Sequence, residues 1–149
     1  MAVEYDRVMK SPRGRARTVL TGELVARARA AAVNARLGGP ELYERCTRFG
    51  KAPPGERIVT LTLIEALQTR DCFPAVLDGI GNSRSGFEQY RALGAAQSLL
   101  PSLDAVQRAQ LLHVIDEQRG QRGYITSDPV RLALADQITG AIDGRTALS

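Results

Sequence analysis

Hydrophobic residues recur along this chain at intervals of three and four positions, which is the spacing of one face of an α-helix. The first long segment carries one such face, formed by Leu24, Ala28, Ala31 and Ala35. The last segment carries another, formed by Val130, Leu134, Ile138 and Ala141. The pattern predicts amphipathic helices whose apolar faces meet in a common core.

Glycine, proline and short polar residues indicate where the helices begin and end. The predicted helices span about residues 22–37, 40–49, 58–69, 86–100, 104–119 and 129–142, and a short helix runs from Asp71-Cys-Phe-Pro74 to Gly79 and Gly81. Residues 3–9 are a further short candidate. Six or seven helices with short connections predict an all-α fold, a compact bundle with antiparallel neighbours.

Three of the predicted helices begin with recognisable capping residues. Ser85 and Glu88 have the spacing of a capping box, in which each side chain bonds the backbone amide of the other. Asp104 and Gln107 repeat that spacing. The pair Asp128-Pro129 predicts an N-cap followed by a proline in the first turn.

The segment Ile58-Val-Thr-Leu-Thr-Leu63 is the one place where a strand competes with a helix, because its β-branched residues run together. A lone strand would have no partner, so we interpret it as a helix. Two prolines make the preceding residues, 51–57, a hinge candidate. The expected organisation is a basic N-terminal arm over residues 1–20 and a single helical domain over residues 21–149.

Composition predicts an aliphatic core. The chain has 149 residues, of which 44% are hydrophobic but only 5% aromatic, with no tryptophan. The spacing places Phe87, Tyr90 and Leu93 on the inner face of their helix. Because aromatic residues are scarce here, Phe87 and Tyr90 are also candidates for a partner-binding interface. The helix over 104–119 is expected to bury Ala105, Ala109, Leu112 and either Ile115 or Leu111.

Charge is unevenly distributed along the chain. Residues 1–57 carry twelve basic and six acidic side chains, whereas residues 58–149 carry eight and ten. A basic front and a mildly acidic back could attract an acidic partner, nucleic acid or the back of a second copy. The bias towards arginine and alanine is also what a GC-rich genome would produce.

The basic stretch Pro12-Arg-Gly-Arg-Ala-Arg17 resembles the core of an AT-hook, a short arginine-rich segment that lies in the minor groove of DNA. Ala16 stands where that core has a proline. A nucleic-acid-binding regulator is therefore an alternative function. Its expected contacts are Arg13, Arg15, Arg17, Arg27, Arg29 and Arg36.

The residues that usually carry catalysis or bind metals are sparse. His113 is the only histidine, and Asp116 and Glu117 follow it, so a surface His–carboxylate pair explains it. Cys46 and Cys72 fit no metal-ligand spacing, and we expect each to be a small buried apolar residue. No phosphate-cradling glycine motif is present. We expect no enzymatic activity, metal or cofactor.

The chain has no run of about 18 apolar residues, and its N-terminus lacks the apolar core of a signal peptide. These features predict a cytoplasmic location. They also predict that the chain makes no contact with a membrane. The two unpaired cysteines fit a reducing compartment.

The segment Ser85-Gly-Phe-Glu-Gln-Tyr-Arg-Ala-Leu93, followed by Ser98-Leu-Leu-Pro-Ser-Leu103, Gln107-Arg108 and Glu117-Gln-Arg119, resembles small helical modules of actinobacterial multidomain proteins. Those modules sit beside signalling or effector domains of the conflict-system type. The resemblance covers about residues 83–140. It implies a bacterial, non-enzymatic adaptor or effector-associated domain that couples a sensor to an effector by helix–helix contact, and it assigns no functional residues.

The sequence thus favours a protein-interaction domain of the adaptor or effector-associated kind, which binds a protein partner or a second copy of itself. The nucleic-acid-binding regulator is the alternative. A third hypothesis is a small-ligand-binding bundle with an apolar pocket between its helices.

Overall fold

A computed structural model describes residues 39–120, 125–126 and 128–148, together with the helical positions Ala26 and Ala30. That part of the chain contains six α-helices and no strand, which confirms the all-α prediction. The helices are α1 (Gly39–Thr47), α2 (Pro54–Leu67), α3 (Phe73–Gly81), α4 (Gly86–Leu99), α5 (Ala105–Gly120) and α6 (Pro129–Leu148). Short 3-10 turns occupy Phe49–Lys51, Arg70–Cys72 and Leu100–Ser102.

The predicted caps account for the starts of three helices. The Ser85 hydroxyl accepts a hydrogen bond from the Glu88 amide at 3.1 Å. Asp104 and Gln107 form the complete reciprocal box, with contacts of 2.8 and 3.1 Å. Asp128 Oδ1 accepts from the Val130 amide at 2.8 Å. These contacts satisfy amides that have no partner within the helix.

Helix α2 settles the choice between helix and strand. The segment Ile58–Leu63 lies wholly within Pro54–Leu67, so the helical prediction was correct. The helix begins four residues earlier than predicted, because Pro54 occupies a first-turn position that needs no amide hydrogen. It ends at Leu67, and the next residue, Gln68, has a φ of 51°, which lies in the left-handed region. The hinge over 51–57 stays a prediction, although its last residues form the first turn of α2.

Helix α4 occupies the middle of the bundle and packs against α2, α3 and α6. Its inner face is built from small and aliphatic residues, namely Ala92, Leu93, Ala95, Ala96 and Leu99, all with no exposed surface. Gly79 of α3 lies against this face, and a Cβ atom there would stand 2.9 Å from the Cβ of Ala92. The small side chains therefore let α3 and α4 approach closely.

The inner face of α6 differs from the predicted one. Val130 is 59% exposed and Ala141 is also exposed, whereas Ile138 is buried as predicted, together with Ala135 and Ile142. At the start of α6 it is Arg131, 14% exposed, that lies against α4: a Cβ on Gly86 would fall 2.7 Å from its Nη1. The Arg131 guanidinium therefore occupies the position next to Gly86, and Val130 faces outwards.

The prediction for the buried face of α5 is correct at Ile115 and Leu111, which were expected as alternatives, and wrong at its two alanines. Ala105 and Ala109 are exposed, while Leu111, Ile115 and Gln118 are buried and Leu112 is half-buried. Alanine contributes little to an apolar stripe, so the larger leucine and isoleucine residues determine which side faces the core.

Candidate interaction surfaces

A buried ionic network lies where α2, α3 and α4 meet. Arg57 of α2 is 2% exposed and donates through Nε and Nη2 to Glu88 Oε1 at 2.8 and 2.5 Å. Its Nη1 reaches Asp78 Oδ2 at 3.1 Å. The guanidinium also donates to the carbonyl oxygens of Phe49 and Asn82 and stacks on the Phe49 ring, 4.1 Å from its centroid. One arginine thus joins three helices and the turn before α2.

This network corrects the prediction for Glu88. The Ser85 hydroxyl caps the helix as expected, but the Glu88 carboxylate is 1% exposed and binds Arg57 instead of returning to the Ser85 amide. A buried guanidinium needs a carboxylate partner more than a helix amide does, since an unpaired buried charge is far more costly than an unpaired amide. The network is therefore structural, and it positions the surfaces on either side.

A basic cleft lies between α1 and α2. It has a volume of about 280 Å³ and is lined by Arg45, Arg48, Lys51, Ala52, Pro53, Glu56 and Thr60. Three of these side chains are cationic and one is acidic. Arg48 approaches Glu44 at 3.8 Å on the outer surface. Within the described residues, Arg45 and Lys51 form no ion pair.

The floor and the rim of this basic cleft are held in place by other groups. Arg84 donates hydrogen bonds to the carbonyl oxygens of Gly50 and Ala52, the second of these being the closer. Arg57 holds the neighbouring Phe49 carbonyl at 3.2 Å. Arg57 and Arg84 therefore hold the backbone of the turn that contains Lys51 through its carbonyl oxygens.

An apolar groove lies on the other side of α4, where it meets α6. It has a volume of about 390 Å³ and is lined by Tyr90, Pro129, Val130, Ala133, Leu134 and Gln137. Leu134 and Tyr90 are half-buried, and Val130 stands out beside them. Gln137 is the only polar lining side chain apart from the Tyr90 hydroxyl, and it accepts a hydrogen bond from Gln97 at 3.2 Å.

The exposed side of α6 continues from this apolar groove along the helix. Its residues follow spacings of three and four, which is the repeat of a helix-pairing seam. We call it the α6 seam, and it consists of Val130, Ala133, Gln137, Gly140 and Gly144, all exposed and none charged. A Cβ atom added at Gly140 or Gly144 would meet nothing within 4 Å. No packing within the described chain explains these two helix-weakening glycines.

The two cysteines, Cys46 and Cys72, interact with one another. The Cys46 thiol donates a hydrogen bond to the Cys72 sulfur, and this bond is the main reason why the pKa of Cys46 is raised and that of Cys72 is lowered. Burial raises the pKa of Cys46 further and opposes the change at Cys72. Cys72 is fully buried and Cys46 half-buried, as expected for small apolar residues.

The residues that the sequence singled out for function lie in different parts of the molecule. Phe87 and Tyr90 are half-buried rather than inward, with ring centroids 6.4 Å apart, and of the two only Tyr90 lines the apolar groove. His113 is exposed and pairs with Glu117 at 2.9 Å, as expected. The predicted nucleic-acid contacts lie outside the described residues. They are Arg13, Arg15, Arg17, Arg27, Arg29 and Arg36.

The basic cleft was not predicted, although Arg45, Arg48 and Lys51 follow one another at intervals of three. That spacing would have placed all three on one side of a helix, but α1 ends at Thr47, so Arg48 and Lys51 lie in the turn that follows it, where helix periodicity no longer applies. Across the described ranges, no three His, Cys, Asp or Glu side chains come together as metal ligands. None of the helices described is long and apolar enough to cross a membrane.

Comparisons of the chain with protein-family models, with curated proteins and with solved structures found no match. The resemblance to actinobacterial adaptor modules stays a prediction.

Proposed function

We propose that this chain is a non-enzymatic interaction domain that pairs with a second copy of itself through the α6 seam and the apolar groove beside it. The observation that carries the proposal is Val130. This β-branched apolar side chain is 59% exposed next to an apolar groove of about 390 Å³. An exposed apolar side chain beside an apolar groove is typical of a contact surface.

The patch is complementary to itself, which favours a second copy as the occupant. Val130 protrudes at one end of the α6 seam, and the groove lined by Tyr90, Leu134 and Gln137 lies directly beside it. A two-fold axis near Gln137 would pair Val130 with Gly144 and Ala133 with Gly140 of the other copy, because an isologous interface pairs one patch with itself. The seam carries no charged residue, so two copies would not repel one another there.

The glycines of the seam support the same arrangement. Each exposed helical glycine weakens its helix by roughly 0.5–1 kcal/mol relative to alanine. Close approach of a second helix would offset that cost, because small residues let two helix backbones come together. An antiparallel pair of α6 helices would use Gly140 and Gly144 in this way.

The proposal is tested by the oligomeric state of the full chain and of two matched variants. Val130→Lys places a charge in the seam, while Val106→Lys changes a valine of α5 that is 68% exposed and lies outside the groove. In sedimentation velocity at micromolar concentration, we expect dimers of the wild type and of Val106→Lys, and monomers of Val130→Lys. A wild type that stays monomeric, or a Val130→Lys variant that still dimerises, would contradict the proposal.

Salt distinguishes this seam from the basic-front to acidic-back contact that the charge distribution suggests. An uncharged interface should keep the same dimer population between about 50 and about 500 mM salt, whereas a contact between opposite charges should weaken. A dimer that dissociates with salt and ignores Val130→Lys would favour the charge-based contact. The nucleic-acid-binding alternative depends on the arginines before residue 37 and stays a prediction, as does the small-ligand-binding bundle.

A further inference from the structure

We infer that Cys46 and Cys72 are a reversible thiol–disulfide pair, which low-molecular-weight disulfides oxidise to a covalent bond between α1 and the start of α3. Neither cysteine belongs to the α6 seam or lines the apolar groove, and the inference does not depend on the proposed self-association. These are the two cysteines of the whole chain, so each sulfur can pair with only one other within a single copy. Because 26 positions separate them, local sequence patterns do not reveal the contact.

The helical repeat of α1 turns Cys46 towards the core. Leu42, which is 2% exposed, lies four positions before Cys46 on the same side of the helix. Helix α1 packs against the 3-10 turn Arg70–Cys72, and the two thiols are in hydrogen-bond contact with Cys46 as the donor. Contact between the sulfurs is the first requirement for a disulfide, because only cysteines held at close range can be bridged without moving the backbone.

The other cysteine of the pair lies at the N-terminal end of α3. Cys72 is the N-cap of this nine-residue helix, and its side chain forms no capping hydrogen bond. The positive end of a helix dipole stabilises a thiolate. The hydrogen bond donated by Cys46 acts in the same direction and is the main cause of the lowered pKa of Cys72, while burial and the Asp71 carboxylate oppose the change without reversing it. Cys72 therefore carries the thiolate of the pair, and the thiolate is the reactive form in disulfide exchange.

Exposure gives the two sulfurs different roles. Cys46 is half-buried, whereas Cys72 is 1% exposed, so an oxidant in solution reaches Cys46 first. Across the described part of the chain, no third His, Cys, Asp or Glu joins these two as a metal ligand. The pair thus has too few neighbouring ligands for a structural zinc site, which takes four.

The exchange takes place in two steps. Cys46 attacks one sulfur of the oxidant while its proton passes along the hydrogen bond to Cys72. A new S–S bond forms at Cys46, the S–S bond of the oxidant breaks, and one thiolate leaves. Cys72 then loses its proton to water, attacks the sulfur of Cys46 and displaces the second thiolate. Two protein thiols are oxidised to one disulfide and the oxidant is reduced to two thiols, and an excess of a reducing thiol reverses both steps.

Treatment of the folded full chain with oxidised glutathione tests the inference. The protein is then precipitated with acid, redissolved in urea and alkylated, and its intact mass is measured. We expect a single chain with an internal disulfide, two alkylated thiols fewer than before and no retained glutathione. Dithiothreitol should restore both thiols, because exchange with a reducing thiol runs in the opposite direction.

Two variants separate a pair from two independent thiols. Cys72→Ser should stop after the first step and keep one glutathione on Cys46. Cys46→Ser should lose its remaining thiol at least about tenfold more slowly than the wild type loses its thiols, because Cys72 is buried. Circular dichroism checks that each variant is folded before it is treated.

A stability measurement on the wild type needs no variant. The disulfide would close a loop of 26 positions that contains α2, and such a cross-link restricts the unfolded chain. We therefore expect the oxidised protein to unfold at a higher urea concentration than the reduced protein, and dithiothreitol to remove the difference. The inference is overturned if the folded wild type keeps both thiols, ends with stable glutathione adducts, forms its disulfide only in urea, or unfolds at a lower urea concentration once oxidised.

Discussion

Two arginines of this bundle, Arg57 and Arg70, each form an ion pair with a carboxylate of another helix. The first pair is buried and the second is exposed. Arg57 binds Glu88 with side-chain exposures of 2% and 1%, and the closest contact is 2.5 Å. Arg70 binds Asp104, the N-cap of α5, at 3.0 Å with exposures of 49% and 50%. Each arginine also reaches a second side chain, Asp78 in one case and Gln107 in the other.

The difference shows how strongly burial controls the effect of an arginine–carboxylate ion pair on the stability of the fold. The exposed pair exchanges hydration by water for a similar interaction with protein and is screened by salt, so its net effect is small. The side chains of the buried pair are almost out of contact with water, so water cannot replace a lost partner. Losing one partner leaves a charge in the interior, although the intact pair adds little over an apolar contact of the same size.

The largest expected effect follows from Glu88→Ala. This change leaves the buried Arg57 guanidinium with only the Asp78 carboxylate and two carbonyl oxygens, and it opens a cavity. We expect the free energy of unfolding to fall by about 3–5 kcal/mol, measured by urea denaturation followed by circular dichroism. A loss below about 1 kcal/mol would mean that water replaces the carboxylate and that the network is not sealed.

A smaller effect is expected when both charges are removed together. In the double variant Arg57→Met with Glu88→Leu, no unpaired charge remains in the interior apart from the partly exposed Asp78. We expect this protein to lie within about 2 kcal/mol of the wild type and to be more stable than Glu88→Ala. If the double variant is as unstable as Glu88→Ala, the hydrogen bonds of Arg57 to the Phe49 and Asn82 carbonyls are the main contribution.

The smallest effect is expected at the exposed pair. Arg70→Met should lower the free energy of unfolding by no more than about 1 kcal/mol, and the difference from wild type should shrink at about 1 M salt because the pair is screened. The Asp104–Gln107 capping box remains intact in this variant, so the start of α5 is preserved. A loss comparable to that of Glu88→Ala would contradict the distinction between the two pairs.

Local sequence signals predicted most of the helices and their starts. Ser85, Asp104 and Asp128 each cap the helix that they were expected to cap. These contacts join residues two or three positions apart, so they are fixed by chemistry that the sequence displays directly. The helical state of Ile58–Leu63 followed from the absence of any partner for a strand.

The surfaces could not be predicted in the same way because they depend on contacts between distant residues. Arg57 meets Glu88 across 31 positions, and nothing in the local pattern distinguishes it from a solvated arginine. Val130 faces outwards while Arg131 lies over Gly86, and this contact joins two helices that are distant in the sequence. The basic cleft combines Arg45 from α1 with Lys51 from the following turn and Glu56 from α2. Helix periodicity describes positions within one helix, so it does not predict that these three side chains meet.

The close approach at Gly79 has a consequence for how this chain can diverge. A methyl group at residue 79 would collide with Ala92. The same two helices hold Asp78, next to Gly79, and Glu88, one turn before Ala92, and these two carboxylates share Arg57. The spacing of α3 and α4 is therefore set by one missing side chain. Residue 79 can enlarge only if residue 92 shrinks and Leu61, 3.3 Å from the same position, gives way, so in descendants of this sequence we expect residues 79 and 92 to change as a pair.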